Sequence, residues 1–176
     1  MELKSLKGCR LKIGNYPTFI YNAYGGGGKA TLLPNPKNNL LHISFSSKTF
    51  SIPSLSSKTT RFLCLPLPPG LKIKMSMNLL EGTIDTNSGD VLLNFEAKFH
   101  FSIGAMYRFP ALMVKTLLKT GKVKGKIHEG EGLLLQNNGT TKLVGIATIP
   151  KTGNQILDTF LGLPNEAMAE LKCKIT

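Results

Sequence analysis

The chain has no tryptophan and only three arginines, Arg10, Arg61 and Arg108, and both shortages narrow what it can recognise. Surfaces that read base edges or clamp phosphates favour the planar fork of arginine, so a basic chain built on lysine points to a diffuse positive field. Stacking platforms for single-stranded nucleic acid are equally thin, because the four tyrosines and nine phenylalanines fall mostly in apolar phases of strand-like segments. No apolar run approaches the roughly 20 residues of a membrane-spanning helix, and the start, Met1 to Gly8, lacks the apolar centre of a secretory signal. The chain therefore reads as soluble and unexported. Cysteine is scarce too: Cys9, Cys64 and Cys173 are an odd, scattered set without Cys-x-x-Cys spacing, which is expected to mean three buried thiols in a reducing compartment.

Acidic residues are the largest deficit. Ten carboxylates stand against 22 basic side chains, a formal charge of +12. A field of that sign attracts nucleic acid, acidic lipid or an acidic protein. Gly25 to Gly28 followed by Lys29 does not make a phosphate loop, since the first glycine of that pattern falls on Ala23 and its hydroxyl residue on Ala30. The following Thr31-Leu32-Leu33-Pro34-Asn35-Pro36 also excludes a phosphate-binding helix start, leaving a hairpin loop between Tyr24 and Lys29.

What is present is a long alternation. From Val91 to Ile103 the residues Val91, Leu93, Phe95, Ala97, Phe99, Phe101 and Ile103 are apolar, with Asn94, Glu96, Lys98, His100 and Ser102 between them. A period of two marks a half-buried strand. Leu71 to Leu79 alternates in the same way and then changes phase, so that Leu80, Gly82 and Ile84 continue the apolar set. Pairing outward from the turn at Asp85 to Asp90 keeps both apolar sets on one face only if Asn78 and Leu79 together oppose Glu96, which predicts a β-bulge. Strands of roughly 45 Å, at about 3.3 Å per residue, bend when paired. The fold class expected is mainly β, a single domain over residues 1–176 with one bent antiparallel sheet, half-barrel or barrel-like, and one or two short helices packed on it.

Around this hairpin the chain reads as follows. Residues 1 to 8 form a short amphipathic helix, and Cys9 to Ile13, Thr18 to Tyr24, Leu40 to Phe45 and Thr49 to Ile52 form strands. Ser54 to Thr60 is a loop with freedom to move, and Phe62 to Gly70, broken by prolines, lies extended across one end of the sheet with its leucines buried. Pro110 opens a helix that runs to Lys119, closes at Gly121 and plugs the curved sheet. Leu133 to Gln136 and Lys142 to Ile149 pair about Asn138-Gly139, setting Leu134 against Leu143. Gln155 to Leu161 is a helix ended by Gly162, and residues 168 to 175 form a terminal strand.

No constellation supplies catalytic chemistry: His42, His100 and His128 stand in separate settings, and neither a nucleophile with its base nor a metal set is apparent. No cofactor is indicated. Two binding sites are. Met75, Met77, Phe95, Phe99 and Phe101 line the concave face and suit an apolar small molecule or lipid. Lys122, Lys124, Lys126 and His128 alternate along one strand and suit an anion. The runs Phe62 to Gly70, Leu80 to Phe95, Thr120 to Lys126 and Glu129 to Gly132 resemble uncharacterised proteins of cyanobacteria and chloroplasts, over about residues 60–176. That resemblance implies a photosynthetic cell, in its cytosol or on the stromal side of thylakoids, and carries over no active-site residues. The function expected is a non-enzymatic binding or assembly protein at an anionic membrane surface or an acidic protein partner. The alternatives are RNA binding through a lysine-rich face and an enzyme of unknown reaction.

Overall fold

The computed structural model describes residues 1–33 and 39–176, so Pro34 and Pro36, which mark the end of the glycine-rich segment in the sequence, lie outside the described residues. The strands are β1 (Glu2–Ser5), β2 (Cys9–Ile13), β3 (Phe19–Tyr21), β4 (Gly27–Leu33), β5 (Leu40–Phe45), β6 (Thr60–Phe62), β7 (Leu65–Pro66), β8 (Leu71–Asp85), β9 (Val91–Ile103), β10 (Tyr107–Arg108), β11 (Leu112–Lys119), β12 (Gly121–Lys124), β13 (Glu129–Gly132), β14 (Thr140–Ile149) and β15 (Asn165–Ile175). One helix, α1 (Gln155–Leu161), lies between the last two.

The hairpin of β8 and β9 is built as its alternation requires. Ile84 pairs with Val91, Gly82 with Leu93 and Leu80 with Phe95, and the register slips between Met77 and Leu79 so that Met77 still meets Ala97. Asn78 is the extra residue. The apolar sets of both strands stay on one side, and Ile84, Val91, Leu93 and Ala97 are fully or almost fully buried there. The turn is fixed locally, with the Asp85 carboxylate accepting from the backbone N–H groups of Asn87 and Ser88 at 2.8 and 3.2 Å.

Both outer edges of this hairpin would expose unmade backbone hydrogen bonds, and the rest of the chain covers them. β5 pairs with β8, β4 with β5, and β1 with β4. On the other side β11 pairs with β9, β14 with β11, and β15 with β14. β15 then pairs with β1, Leu3 opposite Ile175, so the ring of eight strands closes. Farther along its length β15 pairs with β2 instead, and β3, β6 and β7 extend the sheet from there. Every one of these pairings is antiparallel. Leu3, Ile43, Leu80, Ile84, Leu93, Leu143 and Cys173 fill the closed end. At the other end Leu157, Leu161 and Leu163, from α1 and just beyond it, pack on Phe101, Leu112 and Ile149. Asn154 caps α1 by accepting from Leu157 N, and Gly162 ends it in the left-handed conformation.

Several expectations need correction. Residues 112–119 are a strand, not the helix proposed for 110–119. They pair with β9 over eight residues, from Leu112 opposite Phe99 to Lys119 opposite Leu92. Proline before and glycine after allowed a helix, but the open edge of β9 required a partner, and α1 supplies the plug instead. The first residues are likewise strand, because Leu3 enters the core from β1. Only Tyr24 and Gly25 form a turn, Gly27 to Lys29 already belonging to β4, and it closes no hairpin, since β3 pairs with β2 and β6 while β4 pairs with β1 and β5. Gly27, at φ +128°, is required there: a Cβ would stand 1.9 Å from the carbonyl oxygen of Leu3.

Residues 49–52 make only an isolated bridge, Ser51 to Gly27. Residues 62–70 turn back on themselves at Leu63 and Cys64, both at positive φ, leaving Leu63 and Leu65 exposed and Leu67 buried. The Ser54 to Thr60 loop is tied by the Thr59 hydroxyl to Ser54 O at 2.7 Å and by Leu55 to Ile73. The hairpin expected about Asn138-Gly139 is not made: β14 pairs with β11 and β15, residues 133–136 keep only the isolated bridge of Leu133 to Lys142, and Leu135 N donates to Gly89 O, so Leu134 is not set against Leu143.

The two faces of β9 make a direct test. Leu93 is 0% and Leu92 is 41% exposed. Leu93→Ala should cost about 2–5 kcal/mol and Leu92→Ala within about 0.5 kcal/mol of nothing, measured as shifts of the urea midpoint. Equal costs would contradict the assigned faces.

Candidate functional site

Glu166 shows how the outer surface is organised. On β14 and β15 the residues Val144, Met168 and Glu166 lie on the outer side, yet all three are buried. The two-stranded flap β12–β13 lies over them; Gly130 sits so close that a Cβ would be 3.0 Å from Val144 and 3.1 Å from the Met168 sulfur. At the flap's turn the Glu166 carboxylate accepts from the backbone N–H groups of Lys126, Ile127 and His128, at 2.6, 3.1 and 2.7 Å. Consecutive N–H groups converging on one carboxylate form an anion nest, here occupied from within the chain. Burial opposes the charge on Glu166, but those three N–H groups and the nearby His128 ring outweigh it and hold the carboxyl below its ordinary 4.5.

The four residues expected to bind an anion all belong to this flap. The register sets Lys122 opposite Glu131 and Lys124 opposite Glu129, so that face carries both signs. Lys126 is exposed at the turn. The His128 ring turns inward, its Nε2 buried without a hydrogen-bond partner among the described residues.

A denser basic face lies on the outside of β8, β9 and β10. Lys74 is opposite His100, and Lys72 is opposite Ser102, which is itself opposite Arg108. Lys98 lies two residues farther along the same face, opposite Ser76. The carboxylate of this region, Glu96, is bonded to Lys115 at 3.0 Å. Arg108 was not singled out by the sequence because β10 is two residues long and carries no period of its own.

The five apolar residues all lie on the inner side of the hairpin but join three different packed groups. Met77 and Phe95 belong with the closed end, Phe99 and Phe101 with α1, and Met75 with Cys9, Tyr21 and Leu67. Met77 and Phe101 are buried, while Met75, Phe95 and Phe99 are half-buried although they face inward. The wall made by β14 and β15 at this height has small side chains, with Gly145 opposite Ala169 and Ala147 opposite Ala167. Two shallow surface depressions, about 510 Å³ beside α1 at Lys151 and Asp158 and about 350 Å³ between Asp85 to Gly89 and Leu134 to Asn137, touch none of the five.

His100 lies on the open outer face beside lysine. Among the described residues no three His, Cys, Asp or Glu side chains are grouped to hold a metal ion, and no helix is long and apolar enough to cross a membrane. Cys9 and Cys173 are buried, but Cys64 is exposed, which corrects the expectation of three buried thiols. Burial raises both inner thiols, that of Cys173 to about 12. Compared with known proteins, the chain matches no protein-family model, no curated protein and no solved structure.

Two outcomes follow. A thiol reagent at neutral pH should modify one cysteine per native chain and three after denaturation; two or three fast native equivalents would contradict the burial. Because the folded-state carboxyl of Glu166 titrates below its unfolded value, its contribution is complete above about pH 4.5 and is lost as pH falls through the lower folded value. Glu166→Gln should therefore remove that part of the acid dependence and speed amide exchange at Lys126, Ile127 and His128 at neutral pH. Unchanged exchange there would refute the latch.

Proposed function

We propose that the protein is a non-enzymatic binding or assembly protein that works at an anionic surface. The observation that carries this reading is where the carboxylates are. Of ten, Glu166 is enclosed by the flap turn, Asp158 accepts from Thr152 and Gly153, and Asp85 accepts from its own turn. Asp90 is bonded to Ser88 and Thr120, and Glu2 and Glu96 are ion-paired with Lys4 and Lys115. Six of the ten thus also serve local structure, while Lys72, Lys74 and Lys98 stand exposed on the outer face of β8 and β9. The net +12 that remains after all ten carboxylates are counted is therefore an exterior field, able to draw in an anionic partner and weakened by salt.

An apolar guest inside the barrel is a second part of this reading. The half-buried inner residues Met75, Phe95 and Phe99, facing a wall of glycine and alanine, support room for one. The cytosolic or stromal setting implied by the sequence resemblance would place anionic membranes within reach. RNA is the rival partner and would use the same cations.

Flotation with phosphatidylcholine vesicles, with and without phosphatidylglycerol, run beside a salt titration of RNA binding, tests the surface. The protein should float with the anionic vesicles at low salt and should lose RNA by about 200 mM salt, as a non-specific field does. Failure to float would remove the membrane version, and salt-resistant RNA binding would favour the rival. Native mass spectrometry of protein from its own cells should show an adduct of discrete mass, absent after Ala169→Leu. A bare chain mass would remove the guest.

A further inference from the structure

The long hairpin ends in an unusual juxtaposition. Its open end, opposite the Asp85 to Asp90 turn and here called the tip, is joined by Gly104 N donating to Gly70 O at 2.9 Å, and the chain then returns as β10, Tyr107 opposite Ile103. Met106, in the turn, is 96% exposed, and Ile103 and Tyr107 are each 51% exposed. Ile103 continues the inner phase of β9 beyond Phe101, the last buried residue on that strand. Paired residues share a face, so Tyr107 continues it as well. The apolar lining of the barrel therefore runs out past the core into open surface, and the basic patch lies directly behind it. Lys72 and Arg108 are one residue from the tip pair, and Lys74 and His100 are three, roughly 10 Å along the strands.

We propose that this end of the hairpin is the docking surface for the headgroup region of an anionic lipid bilayer. It rests on the anionic-surface reading above and gives that reading its partner and its contact residues. Met106, Ile103 and Tyr107 enter the boundary between headgroups and acyl chains, where exposed apolar area gains from leaving water and a tyrosine ring keeps its hydroxyl wet. Lys72 and Arg108 lie at the level of the lipid phosphates. Lys74 and Lys98 lie within about one to two Debye lengths and add attraction that fades with salt. A nucleic acid would take the cations but leave Met106 and Ile103 in water, so the combination favours a bilayer. The flap at Lys122 and Lys124 is not part of this surface, because Glu131 and Glu129 stand opposite those lysines.

The absence of tryptophan from the chain makes the test direct, since Met106→Trp in the full chain gives a single indole emitter. Its emission should shift to the blue and be quenched by brominated acyl chains on vesicles containing phosphatidylglycerol. Leu133→Trp, an exposed site beyond the far ends of β8 and β9, should show neither change. In flotation, Met106→Asp and the pair Lys72→Glu with Arg108→Glu should each weaken binding about tenfold or more, and the pair Lys122→Glu with Lys124→Glu should have little effect. Circular dichroism confirms that these exposed variants fold. Wild-type binding by the tip variants, or an equal loss in the flap pair, overturns the docking surface while leaving the anionic-surface reading intact. Indifference of the unmodified protein to both vesicle types overturns both. Tip variants that lose RNA but still bind vesicles transfer the surface to nucleic acid and overturn the proposal.

Discussion

The constraint on which the structure depends is that β15 is paired along both edges. One edge meets β14 over ten residues; the other meets β1 near the chain end and β2 farther along. An eight-stranded ring has no free edge where it closes, so the backbone groups of the longest strands are satisfied without help from a partner chain. Closure also decides which side chains are core. Leu3, Cys173 and Ile175 come from opposite ends of the sequence and pack in one group with Leu93 and Leu143. Contacts of such large sequence separation form late and slowly, so assembly of this barrel is expected to depend on the two termini meeting.

Once the inside is apolar and closed, charge is confined to the outside. The ordering is the reverse of that in outer-membrane barrels, whose apolar side chains face lipid. Outward charges can either neutralise one another or project a field. Here Asp85, Asp158 and Glu166 hold turns and a flap, Glu2 and Glu96 pair with Lys4 and Lys115, and the lysines of β8 and β9 about Lys72, Lys74 and Lys98 are left as the outward excess. The nest at Glu166 illustrates it: a negative group that would otherwise temper the lysine-rich turn is enclosed beneath it, satisfied by three backbone donors.

How much of this was legible in the sequence varied with the strength of the local pattern. The central hairpin, its bulge at Asn78, the helix closed by Gly162 and the terminal strand from Met168 onward were readable, because a period of two or a cap residue fixes them locally, whereas the strand's first residues, 165–167, were not. Residues 112–119 were not. Their inner set, Leu112, Val114, Thr116 and Leu118, does alternate, but the outward Met113 and Leu117 are also apolar and fill in the gaps, while Pro110 and Gly121 frame the segment as a helix. The unpaired edge of β9 settled the matter, and that edge exists only in three dimensions. The basic candidates fared similarly. Alternation of Lys122, Lys124 and Lys126 was visible, but the glutamates opposite them depend on a hairpin register, and the patch joining Lys72 to Arg108 depends on β10 returning alongside β9. Glu166 left no signal, since one carboxylate in the outward phase of a strand looks like any solvated side chain.

The closed ring is most directly tested by amide hydrogen exchange along β15 and β1, followed by NMR under native conditions. Closure predicts that the amides whose bonds cross the seam, those of Lys4, Leu6 and Lys174, exchange only through global unfolding and share the protection of Leu93 in β9. Rapid exchange at Lys4, Leu6 and Lys174, with protection kept at Leu93, would show that the seam is open and contradict the barrel.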